Sequence, residues 1–452
     1  MDQKAFHHAL KIQKDHCIGC SHCMNICPTE AIRVRNGKAE LFENRCIDCG
    51  ECFRVCPVGA IIIEQDDFNK IFQYKYRVAI LSAVLIGQFP EDVKTSQVYN
   101  SLMDLGFTDI YEAEHGVDVL KESLQEYALK NENKKPLISS FCPAVIRLIQ
   151  VRFPALVDNI VLKHPPLDIA AIYYKQKLID QGVDESDIGI FYITPCAAKI
   201  AAVKSPVSED KSPITGVINM DFIFNKAYTS IKRGDYNSCT ECKRERLSPE
   251  ATVWSLTNGE ADNMNGRCLA IDGVHNVMEF LEKVENEEVK DVDFLELRAC
   301  DESCAGGVLT TTNRFLTVER LKKRAEYFKE TEYSYENEPK SILRYSEYLE
   351  DCMVINKIKP RSMMKLDINM AEAMKKMRRV KEIMKCLPDV DCGACGAPNC
   401  QALAEDIVQE QAVINHCIFI QKIFEKKGII DWEQSHEIMK NIWGEEKLNR
   451  KC

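Results

Sequence analysis

Cysteine is the residue that most constrains this chain, through both its number and its placement. The 452 residues include 22 cysteines. Eight of them lie between Cys17 and Cys56, and four lie between Cys392 and Cys417. The first residues are charged and hold no apolar signal segment, so we expect a cytoplasmic protein whose thiols are not explained by disulfides. Metal binding is the use that this pattern favours.

The N-terminal cysteines form one motif twice, C-x2-C-x2-C-x3-C-P, ending at Cys27-Pro28 and again at Cys56-Pro57. Two-cluster ferredoxins carry this repeat, and the fourth cysteine of each run ligates the other cluster. Asn36-Gly37, between the runs, predicts the turn of a hairpin. Zinc or free thiols are the alternative interpretation. We predict two [4Fe–4S] clusters, one held by Cys17, Cys20, Cys23 and Cys56, and the other by Cys46, Cys49, Cys52 and Cys27.

After residue 76 the sequence changes to an α/β pattern. Residues 78–86 are an almost continuous apolar run, typical of a strand buried on both faces. Residues 137–138 and 188–193 are further strand candidates, each followed by a helical pattern. Isolated cysteines stand where such strands should end. Because Pro143 suits a first helical position, Cys142 is expected at a helix N-terminus, which lowers a thiol pKa and favours anionic clusters.

Three segments, SSFCP, TPCAAK and ACDESCAGG, resemble the signature loops of the [FeFe] hydrogenases. In that family four cysteines hold the [4Fe–4S] part of the H-cluster, and one also bridges to a diiron site carrying CO, cyanide and a dithiolate amine. Taken singly, each cysteine here also suits a buried structural role. The resemblance implies that Lys199 contacts a cyanide ligand and that Cys304 is the bridge. It implies as ligands Cys142, Cys196, Cys300 and Cys304, and as pocket residues Pro195, Pro166, Ser82 and Ala83.

The chain departs from this family at the positions that move protons. Active members carry a cysteine before the first ligand, whereas this chain has Phe141, whose side chain has no proton to exchange. A glutamate and a serine of the usual relay fall on Ala202 and Val161. Arg298 replaces a methionine and adds a cation beside the cluster. Since proton transfer needs groups within hydrogen-bond reach, these departures imply slow turnover.

Slow turnover with retained cofactor-binding residues resembles the branches of this family described as sensory. The resemblance implies reversible H2 oxidation and proton reduction at low activity, with a role as an H2 or redox sensor in an anaerobic host. Glu296, Asp301, Glu302 or water are candidates for a substitute proton route. The implied partners are H2 and protons, maturation proteins for the diiron site, and a redox partner such as a ferredoxin or a signalling protein. A pocket that no longer takes a diiron site is the alternative.

The C-terminal cysteines form C-x2-C-x4-C-x16-C, with a predicted helix running from Cys400 to Cys417. The segment resembles the CGxCGxPxC domain of corrinoid iron–sulfur proteins, which binds one [4Fe–4S] cluster. The resemblance implies one such cluster here, and zinc is the alternative. The implied ligands are Cys392, Cys395, Cys400 and Cys417.

Other thiols fall outside these motifs. Cys239, Cys242 and Cys268 could form part of a zinc site with His275 or Cys352, but a surface loop is the preferred interpretation. We assign no role to Cys352, Cys386 or Cys452.

Charge and hydropathy exclude other classes of protein. The net charge of −10 argues against a nucleic-acid binder, and no apolar run is long enough to span a membrane. We predict a ferredoxin-like α+β module at 8–75, an α/β H-cluster domain at 76–350 and a mainly helical iron–sulfur module at 365–452. An iron–sulfur electron carrier or cluster-assembly protein lacking the diiron site is the alternative function.

Overall fold

The structure is a computed structural model, and it describes residues 6–207, 211–235, 245–331, 340–361, 366 and 369–448. The chain divides into two compact units. Unit 1 combines residues 1–63 with residues 361–452, and unit 2 comprises residues 64–360. The two terminal segments therefore share one unit. The boundaries of the three domains expected from the sequence stay a prediction.

The N-terminal segment of unit 1 is built from short strands and helices. In chain order these are β1 (Leu10–Ile12), α1 (His22–Ile26), β2 (Ile32–Arg35), β3 (Lys38–Leu41), α2 (Glu51–Arg54) and β4 (Ile61–Ile63). Strand β1 pairs with β4, and β2 pairs with β3, both in antiparallel register. The hairpin turn predicted at Asn36-Gly37 is confirmed, and both residues have the positive φ that such a turn requires.

Unit 2 alternates strands and helices, as the sequence predicts for an α/β fold. Its elements are β5 (Tyr76–Leu81), α3 (Ala83–Gln88), α4 (Thr95–Asp104), β6 (Asp109–Glu112), α5 (Val117–Lys130), β7 (Leu137–Ile138), α6 (Pro143–Arg152), α7 (Pro166–Asp180), β8 (Ile188–Thr194), α8 (Ala197–Lys204), β9 (Gly216–Asn219), α9 (Met220–Arg233), α10 (Pro249–Val253), β10 (Cys268–Asp272), α11 (Val274–Glu285), β11 (Phe294–Arg298), α12 (Arg314–Thr331) and α13 (Ser346–Cys352).

Unit 2 contains two parallel sheets. One has the strand order β6-β5-β8-β9, and the other has the order β10-β11-β7. Strands β5 and β8 are almost wholly buried because helices cover parallel sheets on both faces. The predicted α/β class is confirmed. Since the strands within each sheet are parallel, the loops at their carboxyl ends meet along one edge, where sites in such folds are usually built.

The apolar run at residues 78–86 is not a single strand. Strand β5 ends at Leu81, and the Ser82 side chain accepts a hydrogen bond from the backbone N–H of Val84 at 3.4 Å, which caps helix α3. The rest of the run is this short buried helix. Periodicity cannot separate a buried strand from a buried helix over so few residues.

The C-terminal segment of unit 1 is helical wherever the structure describes regular elements. These are α14 (Met370–Met384), α15 (Cys400–Val408), α16 (Ile418–Lys426), α17 (Trp432–Trp443) and α18 (Glu445–Leu448). The predicted helix from Cys400 to Cys417 is wrong in its length. It ends at Val408, and Cys417 instead precedes α16. Glu410, with φ of 61°, turns the chain and allows Cys417 to return towards Cys395.

Buried ion pairs join the two segments of unit 1. The Arg33 guanidinium on β2 donates to both carboxylate oxygens of Asp406 on α15, at 2.7 and 3.0 Å. Arg45 donates to Glu405 at 2.6 Å. All four side chains are nearly inaccessible to solvent, so each charge depends on its partner in the other segment.

Candidate functional site

Four cysteines of unit 2 lie within a few residues of the ends of strands in both parallel sheets. Cys142 follows β7 and is the N-cap residue of α6, with Pro143 at its first position as predicted. Cys196 follows β8 and is the N-cap residue of α8. Cys300 and Cys304 follow β11, and the chain between them turns through a bond from Ser303 N–H to the Cys300 carbonyl. Sequence and fold thus place all four cysteines at strand ends.

The thiols of Cys196 and Cys304 lie close to other thiols of this set. Burial raises the pKa of Cys196 to about 12, opposed by Lys199, while Cys304 and Cys142 raise it further. Burial also raises the pKa of Cys304, and again Lys199 opposes the shift. Thiols grouped in this way suit soft, thiophilic metal centres, whose binding displaces the protons.

Lys199 supplies a buried cation beside these thiols. Its Nζ lies 4.0 Å from Cys304 Sγ and 3.3 Å from the hydroxyl of Tyr192. Burial alone lowers the pKa of Lys199, but Cys304, Tyr192 and Cys196 raise it above its usual value. The ammonium therefore stays charged and faces the residue that the sequence assigns as the bridge.

Phe141 lies close to two cations. Lys199 Nζ is 4.6 Å from the centroid of its ring, and Arg298 Cζ is 3.7 Å from the same point. Such distances are typical of cation–π contacts, which are strongest in buried surroundings. The side chains of Phe141 and Arg298, the two residues at which the sequence departs from the resemblance, are thus in direct contact.

Two buried glutamates hold the Arg298 guanidinium. Its Nη2 lies 2.8 Å from the Glu260 carboxylate, which also accepts a 2.5 Å bond from the Ser139 hydroxyl. Its Nε lies 3.5 Å from Glu296, whose other oxygen accepts the backbone N–H groups of Glu260 and Ala261. Burial raises the pKa of Glu296. Sequence reasoning missed Glu260 because it lies far from every cysteine motif.

Ser82 and Ala83 are held by another buried carboxylate, that of Glu114. Glu114 accepts bonds from the Ser82 hydroxyl at 2.9 Å, the Ala83 N–H at 2.8 Å and the Ser255 hydroxyl at 2.6 Å. Burial raises its pKa. The Ser255 carbonyl accepts the Cys304 N–H at 3.1 Å. Glu114 follows strand β6 at the same sheet edge, a signal that could have drawn attention to it in the sequence.

Backbones pack tightly around the third cysteine loop. A Cβ added to Gly307 would lie 2.5 Å from the carbonyl oxygen of Pro195, so the glycine is needed for the two loops to meet. Pro166 opens α7, and its carbonyl stands equally close to a Cβ added at Gly116. The glycines of the CAGG segment thus allow close approach of protein backbone.

A mainly apolar cavity, which His164 and Asp168 also line, lies at two of the positions that the resemblance assigns to a proton relay. Phe141, Ala202 and Lys199 line this cavity of about 90 Å³, and Val161 is buried. Of the substitute carriers, Glu296 is buried beside Arg298, whereas Asp301 is exposed and pairs with Arg314. The backbone N–H of Glu302 donates to Asp272.

The N-terminal cysteines of unit 1 gather in two groups. The first group, called site A, lines a small cavity with Cys17, Cys20, Cys23 and Cys56. Burial raises the pKa of Cys23 to about 12, and the other three thiols of site A add to the shift. The second group, called site B, comprises Cys27, Cys46, Cys49 and Cys52, and its buried thiols likewise raise one another's pKa.

Backbone N–H groups point at the sulfurs of both groups. Ala39 N–H donates to Cys17 Sγ at 3.3 Å in site A, and Ala31 N–H donates to Cys27 Sγ at 3.2 Å in site B. Donors of this kind stabilise the anionic sulfurs of an iron–sulfur cluster.

The C-terminal cysteines form a further group, called site C, which comprises Cys392, Cys395, Cys400 and Cys417. Burial raises the pKa of Cys395 to about 11, and the nearby thiols of Cys417 and Cys392 add to this. Cys400 opens helix α15, and its N–H donates to Asp391 at 2.7 Å. The structure thus returns Cys417 to the loop that the C-x2-C pair forms.

The other thiols show no shared site among the described residues. Cys268 begins β10, Cys352 ends α13, and His275 is exposed on α11. Cys386 is exposed. The proposed zinc pair Cys239 and Cys242 lies outside the described residues, as does Cys452.

Comparisons with known proteins agree with this division of sites. Residues 75–221 and 215–308 match the family model of the iron-only hydrogenase large subunit, C-terminal domain. Residues 9–65 match a 4Fe-4S dicluster domain, and residues 387–419 match a putative Fe-S cluster domain. Within the part of the chain that the structure describes, no helix is both long and apolar enough to cross a membrane.

Individual relatives are distant. Iron hydrogenase 1 of Clostridium pasteurianum is 26% identical over 122 residues, which are 25% of this chain and 21% of that protein. The match thus spans about a fifth of that relative's length. An [FeFe]-hydrogenase structure describing stepwise H-cluster assembly has 16% identity and a TM-score of 0.46, covering 65% of this chain and 98% of its own. A variant of HydA1 from Chlamydomonas reinhardtii has 16% identity and a TM-score of 0.44, covering 63% and 94%.

Proposed function

Because this chain belongs to the family of the iron-only hydrogenase large subunit, we propose that unit 2 binds an H-cluster and interconverts H2 with protons and electrons at low turnover. The [4Fe–4S] part would be held by Cys142, Cys196, Cys300 and Cys304, with Cys304 also bridging to the diiron group. When bound, the diiron group supplies the chemistry that binds and splits H2.

One observation carries this proposal: the Lys199 ammonium is buried between Cys304 Sγ and the ring of Phe141. A cation facing the bridging thiol suits an anionic cyanide ligand next to that sulfur, and burial strengthens the attraction. The soft thiols around it suit an iron–sulfur centre. The residues present therefore fit the H-cluster.

The other pocket residues position this machinery. Pro195 orients the loop that carries Cys196, and Pro166 begins the helix that packs against Gly116. Ser82 and Ala83 keep a fixed orientation because Glu114 accepts a hydrogen bond from each. Together these residues would line and orient the pocket of the diiron group.

Low turnover follows from the loss of proton carriers at both Phe141 and Ala202. The Phe141 ring would fill the place from which a thiol would exchange protons, and both Arg298 and Lys199 lie close to this ring. General acid–base groups typically contribute a factor of about 100 to 10,000 in rate. A site that binds H2 but passes protons slowly suits a sensor, whose change of redox state is read by a ferredoxin or a signalling protein.

We place this activity in the cytoplasm of an anaerobe, with maturation proteins supplying the diiron group. Unit 1 would hold three further [4Fe–4S] clusters at sites A, B and C. The domain boundaries proposed for these functions remain 8–75, 76–350 and 365–452.

An infrared spectrum of anaerobically matured protein, before and after exposure to H2, tests the proposal. We expect CO and cyanide bands that shift with H2, together with about 18 irons per chain. Absence of these bands after maturation, with about 16 irons per chain, would overturn it and leave the iron–sulfur electron carrier as the function.

A further inference from the structure

The two N-terminal cysteine groups of unit 1 have neighbours of opposite charge. Lys38 Nζ donates to the Cys17 carbonyl of site A at 2.8 Å, and Lys447 Nζ donates to the Gly19 carbonyl in the same loop. Site B carries Asp48 and Glu51 between its cysteines. Arg45, which precedes Cys46, is paired with the carboxylates of Glu405 and Glu30. The motif is duplicated, but the charges around its two copies are not.

Lys447 reaches site A from the C-terminal segment. It lies on α18, directly after the end of α17, and its Nζ stands 4.8 Å from the centroid of the Trp443 ring. The Trp443 indole N–H donates to the Ala394 carbonyl at 2.8 Å. Ala394 lies between Cys392 and Cys395, so one short stretch of chain contacts the loops of both site A and site C.

Asp48 places a negative charge within site B. Its side chain is fully buried and pairs with His8 Nδ1 at 2.7 Å, while the Ala9 N–H donates to its other oxygen at 3.0 Å. The Asp48 N–H points at Cys46 Sγ at 3.5 Å. A carboxylate oxygen of Asp48 and the Cys46 sulfur lie within 4.8 Å of each other.

A cluster gains one negative charge when it is reduced. Nearby cations therefore favour the reduced form, and nearby carboxylates disfavour it, with the effect largest where burial lowers the local dielectric. Both lysines at site A are half-buried, and Asp48 at site B is buried. The two charges act in opposite directions on the two clusters.

We propose that site A holds the cluster of higher reduction potential in the N-terminal pair, and that Lys447 sets this order from the C-terminal segment. A single electron delivered to the pair by an external one-electron reductant then stays mainly at site A, whose loop shares the Trp443–Lys447 stretch with site C. No bond is made or broken in this step. The proposal needs iron–sulfur clusters in unit 1 but is independent of the diiron site of unit 2.

A redox titration followed by electron paramagnetic resonance tests the order, using the full chain with its [4Fe–4S] clusters but without the diiron group. Lys447→Gln should move one signal to lower potential, and Asp48→Asn should move a different signal to higher potential. The signal that responds to Lys447→Gln must be the one with the higher potential in the unchanged protein. Lys440→Gln is the matched control, because Lys440 lies on α17 and pairs with Glu437 and Glu445.

Three results would overturn the proposal. In the first, neither Lys447→Gln nor Lys440→Gln changes any reduction potential. In the second, the signal moved by Asp48→Asn proves to have the higher potential. In the third, both substitutions move the same signal. If the Lys447→Gln variant loses iron, Lys38→Gln tests the same site. If Lys38→Gln then fails to lower the higher of the two reduction potentials, the proposal is equally overturned. Absent infrared bands from the matured protein would refute the proposed hydrogenase function without affecting these titrations.

Discussion

The guanidinium of Arg298 lies 3.7 Å from the centroid of the Phe141 ring. Each residue alone departs from the pattern of active hydrogenases, and the contact shows that the two departures form one arrangement. The contact stabilises the buried guanidinium of Arg298 in addition to its pairing with Glu260 and Glu296. A substitution of Phe141 therefore also changes the surroundings of Arg298.

Restoring the relay requires changes at two positions. Phe141→Cys alone should change H2 evolution by less than about threefold, because Ala202 on the same cavity still offers no proton carrier. The double variant Phe141→Cys/Ala202→Glu should raise H2 evolution at least about tenfold. Measured rates of matured proteins with equal infrared band intensity check this, with Ala202→Glu alone as control. Equal rates for the double variant and the unchanged protein would contradict it.

Arg298 holds two buried carboxylates. Arg298→Met should destabilise unit 2 by about 3 to 5 kcal/mol, because Glu260 and Glu296 then lose their buried cation. Arg298→Met/Glu260→Gln should recover part of this loss. Denaturant unfolding followed by circular dichroism measures both variants. If the double variant is less stable than Arg298→Met, the charges of Arg298 and Glu260 are not coupled as described.

Lys199 offsets negative charge at the four-cysteine site of unit 2. Lys199→Met should lower the iron content of purified protein by up to about four atoms per chain, since thiolates gathered around a cluster lose their nearest cation. Lys204→Met, on the same helix but paired with Asp66 at 2.6 Å, should keep its iron. Equal iron in both variants would show that Lys199 is dispensable for loading.

His115 should make unit 2 sensitive to mild acid. Burial lowers its pKa to about 4, while the unfolded chain takes up the proton near pH 6.5. The unfolded state therefore binds more protons between these values, and stability falls as the pH falls through them. From pH 7 to 5.5 the loss should be about 1 kcal/mol.

Replacing the imidazole of His115 should remove this dependence of stability on pH. His115→Phe keeps a ring against Tyr111, on which His115 stacks with ring centroids 4.6 Å apart. Between pH 7 and 5.5 the stability of this variant should fall by about 1 kcal/mol less than that of the unchanged protein. Denaturant midpoints at pH 7 and 5.5 give the comparison. The same pH dependence in both proteins would mean that His115 binds its proton in the folded state.

Asp406 should be essential to unit 1. Asp406→Asn removes the carboxylate that pairs with Arg33 and Arg35, so we expect a loss of about 3 to 5 kcal/mol. Limited proteolysis of unit 1 should then be faster. Glu425→Gln is the control, since Glu425 pairs with Lys422 near the surface. Comparable rates of proteolysis in the two variants would show that unit 1 does not depend on Asp406 for its stability.

Local spacing made much of the site predictable. The cysteine motifs, the Asn36-Gly37 turn and the helix opening at Cys142 depend on neighbouring residues, and the structure has each where the sequence places it. The buried carboxylates were not predictable in this way. Ser139 and Glu260 are 121 positions apart, and Ser255 and Glu114 are 141 positions apart. Only folding brings such pairs together, and no periodicity in the sequence reports them.

The path of Cys417 shows the same distinction. The sequence pattern after Cys400 favoured one long helix, but the helix ends at Val408 and the chain then brings the Cys417 thiol near Cys395. The tertiary structure thus differs here from local helical preference, which tertiary context commonly overrides.

The pairing of Arg33 with Asp406 has a consequence for synthesis on the ribosome. Residues 64–360 separate the two segments of unit 1 along the chain. Translating these residues takes about 15 to 60 s. During this delay unit 2 can fold completely, while the emerging arginines of β2 have no carboxylates to meet. Any cluster proposed for sites A and B would therefore enter either an incomplete unit 1 or a chain whose last helices have already left the ribosome.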